Sequence, residues 1–327
     1  MKKLVEQRKF YNRYLKNKHA FTMAEILISL TIIGVIAAIT LPALKASINE
    51  STWNTKRKAL YTRISQAISM MGSLNGYGLS TDDDETNANA AMAFVTEGLN
   101  KVLKINNICD KNNLSKCGIS NKITNMANSK VDFPTTLWGL NGYFSQNDPT
   151  NNNTDAIAFE TVNGESVAVF YNPLCKNDSK ELDSFITKLM CANFIYDLNG
   201  KKGPNRVGKD IGFITALYPT EPSVVAPMPL ATDANNGNPV EVNGFQAFTA
   251  AAAACEAQDE NSRLPNVDEL AAMEYNRGVC LGGTSTYYWS GSISPRGTAW
   301  VEAWFFRRIA SHPTSTQKNY RVRCIKR

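Results

Sequence analysis

Three kinds of residue in this 327-residue chain have chemistry that needs a setting: one carboxylate beside an apolar run, seven cysteines, and a loop dense in oxygen donors. Glu25 stands directly before Ile26–Leu44, which carries no charge. A carboxylate in such surroundings costs about 2–4 kcal/mol toward the centre of a bilayer, so it needs a partner, a function, or a place at headgroup depth. All seven cysteines follow the apolar run, which suits an oxidising compartment. Local spacing suggests Cys109 with Cys117 and Cys175 with Cys191, while Cys280 is left over. The loop Asp197-Leu-Asn-Gly-Lys-Lys-Gly-Pro-Asn-Arg-Val-Gly-Lys-Asp210 offers Asp197, Asn199 and Asp210 as calcium candidates. Calcium takes six to eight oxygens, and the late bidentate glutamate of an EF-type loop is missing. Lys201 and Lys202 also oppose a cation, so the alternative is a tight connecting loop and no metal. His19 and His312 are the only histidines, which leaves little for imidazole clusters or histidine-based acid–base catalysis.

The elements that must position these groups begin with a charge asymmetry. The formal net charge of +6 resides in residues 1–20, where Lys2, Lys3, Arg8, Lys9, Arg13, Lys16 and Lys18 face only Glu6. Beyond them acidic and basic side chains balance, so no general nucleic-acid binding is expected. Ile26–Leu44 has the roughly 20 residues of a bilayer-crossing helix, with the basic end cytoplasmic and everything from Lys45 onward exported. A plain signal-anchor, a secretory signal cut near Val35-Ile36-Ala37, and a leader removed before the apolar run all fit this outline. The helical pattern continues past the membrane length: Trp53, Leu60, Ile64, Ile68 and Met71 form a stripe, with no Gly or Pro between Pro42 and Gly72. One helix from about Thr22 to Met71, bent at Pro42, is expected.

The stretch His19-Ala-Phe-Thr-Met-Ala-Glu-Ile-Leu-Ile-Ser-Leu30 resembles the processing site of type IV prepilins and type II secretion pseudopilins. In that family a short basic leader is cut before a phenylalanine, the new amine is methylated, and a glutamate stands fifth after the cut. Phe21 and Glu25 match those positions, and Pro42 falls where many members carry a helix-kinking proline. Ala20 departs from the usual glycine before the cut, and Met23-Ala24 replaces the commoner leucine-isoleucine. The resemblance implies cleavage between Ala20 and Phe21, methylation of Phe21, and filament assembly through Glu25 and Pro42, with Glu25 accepting the amine of a neighbouring subunit.

Further along, the acidic stretch 79–88 reads as a cap for a helix carrying Ala91, Phe94, Val95, Leu99, Val102 and Leu103. Residues 106–153 read as a loop-rich insertion. Ala156–Val162 and Ser166–Tyr171 are β-rich runs joined around Asn163-Gly164, a strong hairpin signal, and Asn193–Tyr196 and Ile211–Tyr218 add strands. An antiparallel sheet of about four strands laid on the long helix results. Five prolines between Pro219 and Pro239 mark a linker. After it come two helical stretches, Phe245–Cys255 and Val267–Met273, and aromatic strands. The ordered set Cys255, Arg263-Leu264-Pro265, Glu269-Leu270, Tyr288-Trp289-Ser290 and Val322-Arg323-Cys324 is similar to bacterial C-type-lectin-like modules. That resemblance implies a Cys255–Cys324 disulfide, with Arg-Leu-Pro and Trp-Ser as core pieces. No sugar-binding calcium group accompanies it. Formylglycine-generating enzymes use a related fold with paired reactive cysteines, for which Cys280 alone is a poor basis.

The expectation is an α+β protein. A leader (1–20) precedes a long membrane-spanning helix (21–74) packed on an antiparallel-sheet head (75–218), followed by a Pro-rich linker (219–240) and a C-type-lectin-like α+β module (241–327). Its expected function is non-enzymatic: a minor or tip-located subunit of a type IV pilus-like filament. Its partners would be prepilin peptidase, other pilins and the inner membrane, with a host-surface or glycan ligand for the last module. It would reside in the inner membrane with a periplasmic head, then in a filament at the surface or in the periplasm. A secretion pseudopilin and a membrane-anchored carbohydrate-binding protein that does not polymerise are the alternatives.

Overall fold

The computed structural model describes residues 22–75, 90–141, 154–173, 175, 190–217, 223–225, 248–257, 262–281, 287–293, 298–303, 308–313 and 322–326. The expected leader, the acidic stretch 79–88 and most of the Pro-rich linker lie outside them. The chain divides into two units, residues 1–52 and 53–327.

Helix α1 is Met23–Asn75 and continues unbroken through Pro42 and Gly72. It outlasts the expected end at Met71 because one glycine costs a helix only about 1 kcal/mol. In the first unit its described side chains are almost all exposed, including Ile26, Leu27, Ile28, Leu30, Ile32, Ile33, Val35 and Ile36. Among the described residues no helix is long and apolar enough to cross a membrane. The side chains described in the apolar run extend from Ile26 to Thr40, Ile39 excepted. That stretch gives about 22 Å of helix against about 30 Å of hydrocarbon.

In the second unit the sheet is antiparallel and six-stranded. Its strands are β1 (Ile105–Cys109), β4 (Ile157–Thr161), β5 (Ser166–Tyr171), β6 (Met190–Asp197), β7 (Ile211–Leu217) and β8 (Ser223–Val225), paired in that order. A hairpin of β2 (Lys122–Thr124) and β3 (Lys130–Asp132) stands apart. The β4–β5 turn closes with Thr161 N–H donating to Glu165 C=O and Gly164 N–H to Thr161 C=O, both 2.9 Å. Gly164 has φ +81°, the left-handed conformation that a three-residue hairpin loop asks of its last residue.

The sheet has two apolar faces, so its central strands read as continuous hydrophobic runs rather than alternating ones. Ile157, Phe159, Val167, Val169, Phe194 and Ile214 pack under Leu60, Ile64, Ala67, Ile68 and Met71 of α1. The short helix α2 (Ala90–Ala93) runs on as a widened helical turn over Phe94–Gly98 and a tighter one over Leu99–Lys101, and adds Phe94, Val95 and Leu99 to that core, with Phe94 stacked on Tyr171 at 4.3 Å. On the other face lie Ala158, Ala168, Phe170, Ile195, Ile211, Phe213 and Leu217. These are covered by helix α3 (Leu137–Asn141), by Ile123 and Met126, and by Leu270, Met273, Tyr275, Val279 and Cys280 from the last quarter of the chain.

That last quarter contains α4 (Phe248–Glu256), β9 (Ser262–Arg263), α5 (Val267–Tyr275), a three-stranded antiparallel sheet and β13 (Ile325–Lys326), which pairs with β9. The three strands are β10 (Tyr287–Ile293), β11 (Thr298–Ala303) and β12 (Arg308–Pro313). Its second-face contacts include a reciprocal amide pair. Asn193 Nδ2 donates to Asn276 Oδ1 at 2.9 Å, Asn276 Nδ2 donates to Asn193 Oδ1 at 3.0 Å, and Thr215 Oγ1 donates to Asn193 Oδ1 at 2.7 Å. All three residues are fully buried. Met126 N–H also donates to Cys280 C=O at 2.8 Å. A fully satisfied polar network inside an apolar layer fixes one way of seating α5 on the sheet.

Candidate functional site

Helix α1 starts with a reciprocal cap. Thr22 N–H and Oγ1–H donate to Glu25 Oε2 at 2.8 and 3.0 Å, and Glu25 N–H donates to Thr22 Oγ1 at 3.2 Å. This is a capping box, and it satisfies donors that every helix start leaves open. Sequence reasoning paired Glu25 with a neighbouring subunit and missed this local role, although Thr-x-x-Glu before an apolar run is its signature. Described residues engage Oε2 alone. Ala20 and Phe21 lie outside the described residues, as does the side chain of Pro42.

Beyond Glu25 the helix surface carries polar side chains that have already found partners within the helix. Ser29 Oγ donates to Glu25 C=O at 2.7 Å, Thr31 Oγ1 to Leu27 C=O at 2.7 Å and Thr40 Oγ1 to Ile36 C=O at 2.9 Å. Hydroxyls bonded to the preceding turn present their apolar edges outward. From Ile26 to Thr40 the described surface is therefore apolar around the helix, a property that suits lipid or close packing against like helices.

The loop between β6 and β7 brings Asp197, Asn199 and Asp210 together, but as caps rather than as an open cage. Both Asp210 oxygens accept backbone N–H groups, from Asn205 and Arg206 at 2.8 Å each. Asp197 Oδ1 accepts Asn199 N–H at 3.0 Å. Loop carbonyls are taken by cations of α1: Lys56 Nζ donates to Leu198 C=O at 3.2 Å, and Arg57 Nη2 to Gly208 C=O at 2.8 Å and to Lys209 C=O. Burial, with Asp210 adding to it, pushes the Asp197 carboxyl up to about 7. Among the described residues no three His, Cys, Asp or Glu side chains gather as a metal site. Oxygens already holding N–H groups, Lys56 and Arg57 do not fit calcium, and the loop is a clamp that fixes the helix to the β6–β7 end of the sheet.

The last quarter repeats the theme of structural rather than reactive chemistry. Arg263 holds Glu269 in a two-pronged ion pair, 2.8 Å on each arm. Glu269 accepts Asn266 N–H and gives its own N–H to Asn266 Oδ1, both 2.7 Å, so the Arg-Leu-Pro piece anchors the start of α5. Arg323 lies over the Tyr288 ring at 5.4 Å. Disulfides join Cys109 to Cys117, Cys175 to Cys191 and Cys255 to Cys324. Cys280 is a free thiol, fully buried, and burial raises its pKa well above the ordinary thiol range. Such a thiol is inert as a nucleophile.

Residues 15–41 match the family model of the prokaryotic N-terminal methylation motif. Its bearers are precursors of the type IV pilin and pseudopilin kind, membrane-anchored at first and structural subunits rather than enzymes. No curated protein and no solved structure matches this chain.

Proposed function

We propose that this chain is a minor or tip-located prepilin of a bacterial type IV pilus-like filament. Prepilin peptidase cuts between Ala20 and Phe21, Phe21 is N-methylated, and residues 26–44 hold the precursor in the inner membrane with the head in the periplasm. Assembly then buries that helix among those of other pilins, with Glu25 at the junction and Pro42 shaping the path. The observation that carries this reading is the coincidence of the methylation motif with a helix whose described surface from Ile26 to Thr40 is apolar all round. A patch of that size has to be covered by lipid or protein.

The minor or tip role rests on the last quarter of the chain, an addition that a subunit repeated along a fibre would have to accommodate at every step. That quarter is the C-type-lectin-like, adhesive part, directed at a host-surface or glycan ligand. Burial of Cys280 argues against a formylglycine-type enzyme.

Shearing filaments from cells that express the full chain tests the assembly step. The wild-type chain is expected in the sheared fraction at low stoichiometry, and Glu25→Ala is expected to remain with the membranes, reduced in filaments at least tenfold. Equal recovery of Glu25→Ala in filaments, or absence of the wild-type chain from every filament fraction, contradicts it.

A further inference from the structure

The loop that clamps α1 sorts its charges by depth. Its two carboxylates, Asp197 and Asp210, are 3% and 0% exposed and face inward onto backbone N–H groups. Lys201, Lys202 and Lys209 are exposed. The described ion pairs involve Arg63, Lys111, Lys122 and Arg263, so no described carboxylate neutralises these three lysines. Lys56 and Arg57 add two more cations beneath, bonded to loop carbonyls. The exposed charges of this loop are therefore all positive, in a chain that is neutral beyond residue 20. A preformed basic face loses little freedom on meeting an anionic surface.

We propose that this face docks on anionic phospholipid headgroups and steadies the head against the bilayer before assembly. The proposal rests on the reading of residues 26–44 as the membrane segment. Eleven residues lie between Leu44 and Lys56, so the chain length caps the distance between the end of that segment and Lys56 at about 40 Å. Lysines near an anionic leaflet are attracted within a Debye length, an effect that salt removes.

The test is amine acylation of the full chain reconstituted in vesicles of phosphatidylcholine alone or mixed with phosphatidylglycerol, read site by site by mass spectrometry. Lys201, Lys202 and Lys209 are expected to react at least about threefold more slowly in the anionic vesicles. High salt should abolish the difference. Lys111, which is paired with Asp155, serves as the unchanged reference. Equal rates in both vesicles overturn the proposal, as does protection by a short DNA duplex without protection by anionic vesicles, which would assign the face to nucleic acid. Failure of the chain to float with either vesicle is a separate result: it removes the membrane reading, and the docking proposal with it.

Discussion

Helix α1 shows two surfaces that obey opposite rules. Between Leu60 and Met71 it is striped: Leu60, Ile64, Ala67, Ile68 and Met71 are buried while Thr62, Gln66 and Ser69 face solvent. Polar anchors fix that stripe on the sheet, with Arg57 on the loop carbonyls and Arg63 on Glu165 at 2.7 Å. Between Ile26 and Thr40 there is no stripe. Apolar side chains point in every direction, and the hydroxyls among them bond inward to their own backbone. The first stretch is therefore not the unfinished side of a core. A helix that is apolar all round is built to be surrounded.

The sharpest way to break this comparison is to place the same aspartate in each stretch. Ile64→Asp buries an unpaired charge under the sheet and should destabilise the head by more than about 4 kcal/mol, so that it no longer melts cooperatively by circular dichroism. Ile32→Asp should leave the melting of the head within about 0.5 kcal/mol of wild type, yet deplete the chain from membranes. Comparable loss of head stability from both substitutions would erase the distinction.

A smaller effect separates the two faces of the sheet. Asn276→Ala strips Asn193 of both its acceptor and one donor inside an apolar layer, and should cost about 1–3 kcal/mol in denaturant midpoint analysis. Replacing Asn193 and Asn276 together with apolar residues should recover part of that loss, because no orphan amide remains. If the single substitution costs nothing, α5 is not seated by this pair.

The smallest effect is in the loop. Asp197 holds its proton in the folded state up to about pH 7, whereas an unfolded aspartate releases it near 4. Stability is therefore greatest below the unfolded value and falls as pH rises from about 4 to about 7, levelling off above. Asp197→Asn should flatten that slope and raise the melting temperature at pH 8 by a few degrees. A lower melting temperature, or a calcium-dependent rise in the wild-type chain, would contradict the reading of the loop as a clamp.

Much of this fold is legible in the sequence, and the parts that are not have physical reasons. The buried stripe on α1 and the hairpin at Gly164 follow from periodicity and one dipeptide. The edge strands do not. In β1, Asn106 and Asn107 are exposed and the pattern looks like a loop, while β8 is three residues between Pro222 and Pro227, inside what reads as a linker. Proline is compatible with a sheet edge, so the cluster hid a strand. The second apolar face was also invisible, because a continuous hydrophobic run does not say what covers it. Asn193 and Thr215 within such runs were the only sign that a polar partner had to arrive from elsewhere. At the amino terminus the motif pointed to Glu25 by its place after Phe21, while its bond to Thr22 follows from a spacing of three.

The proposed processing makes Phe21 the first residue of the working chain. Its most direct test is the amino-terminal sequence and intact mass of the protein recovered from the membranes of the cells that make it. A single species starting at N-methylated Phe21 is expected. An intact Met1, or a start beyond Ala37, would contradict it.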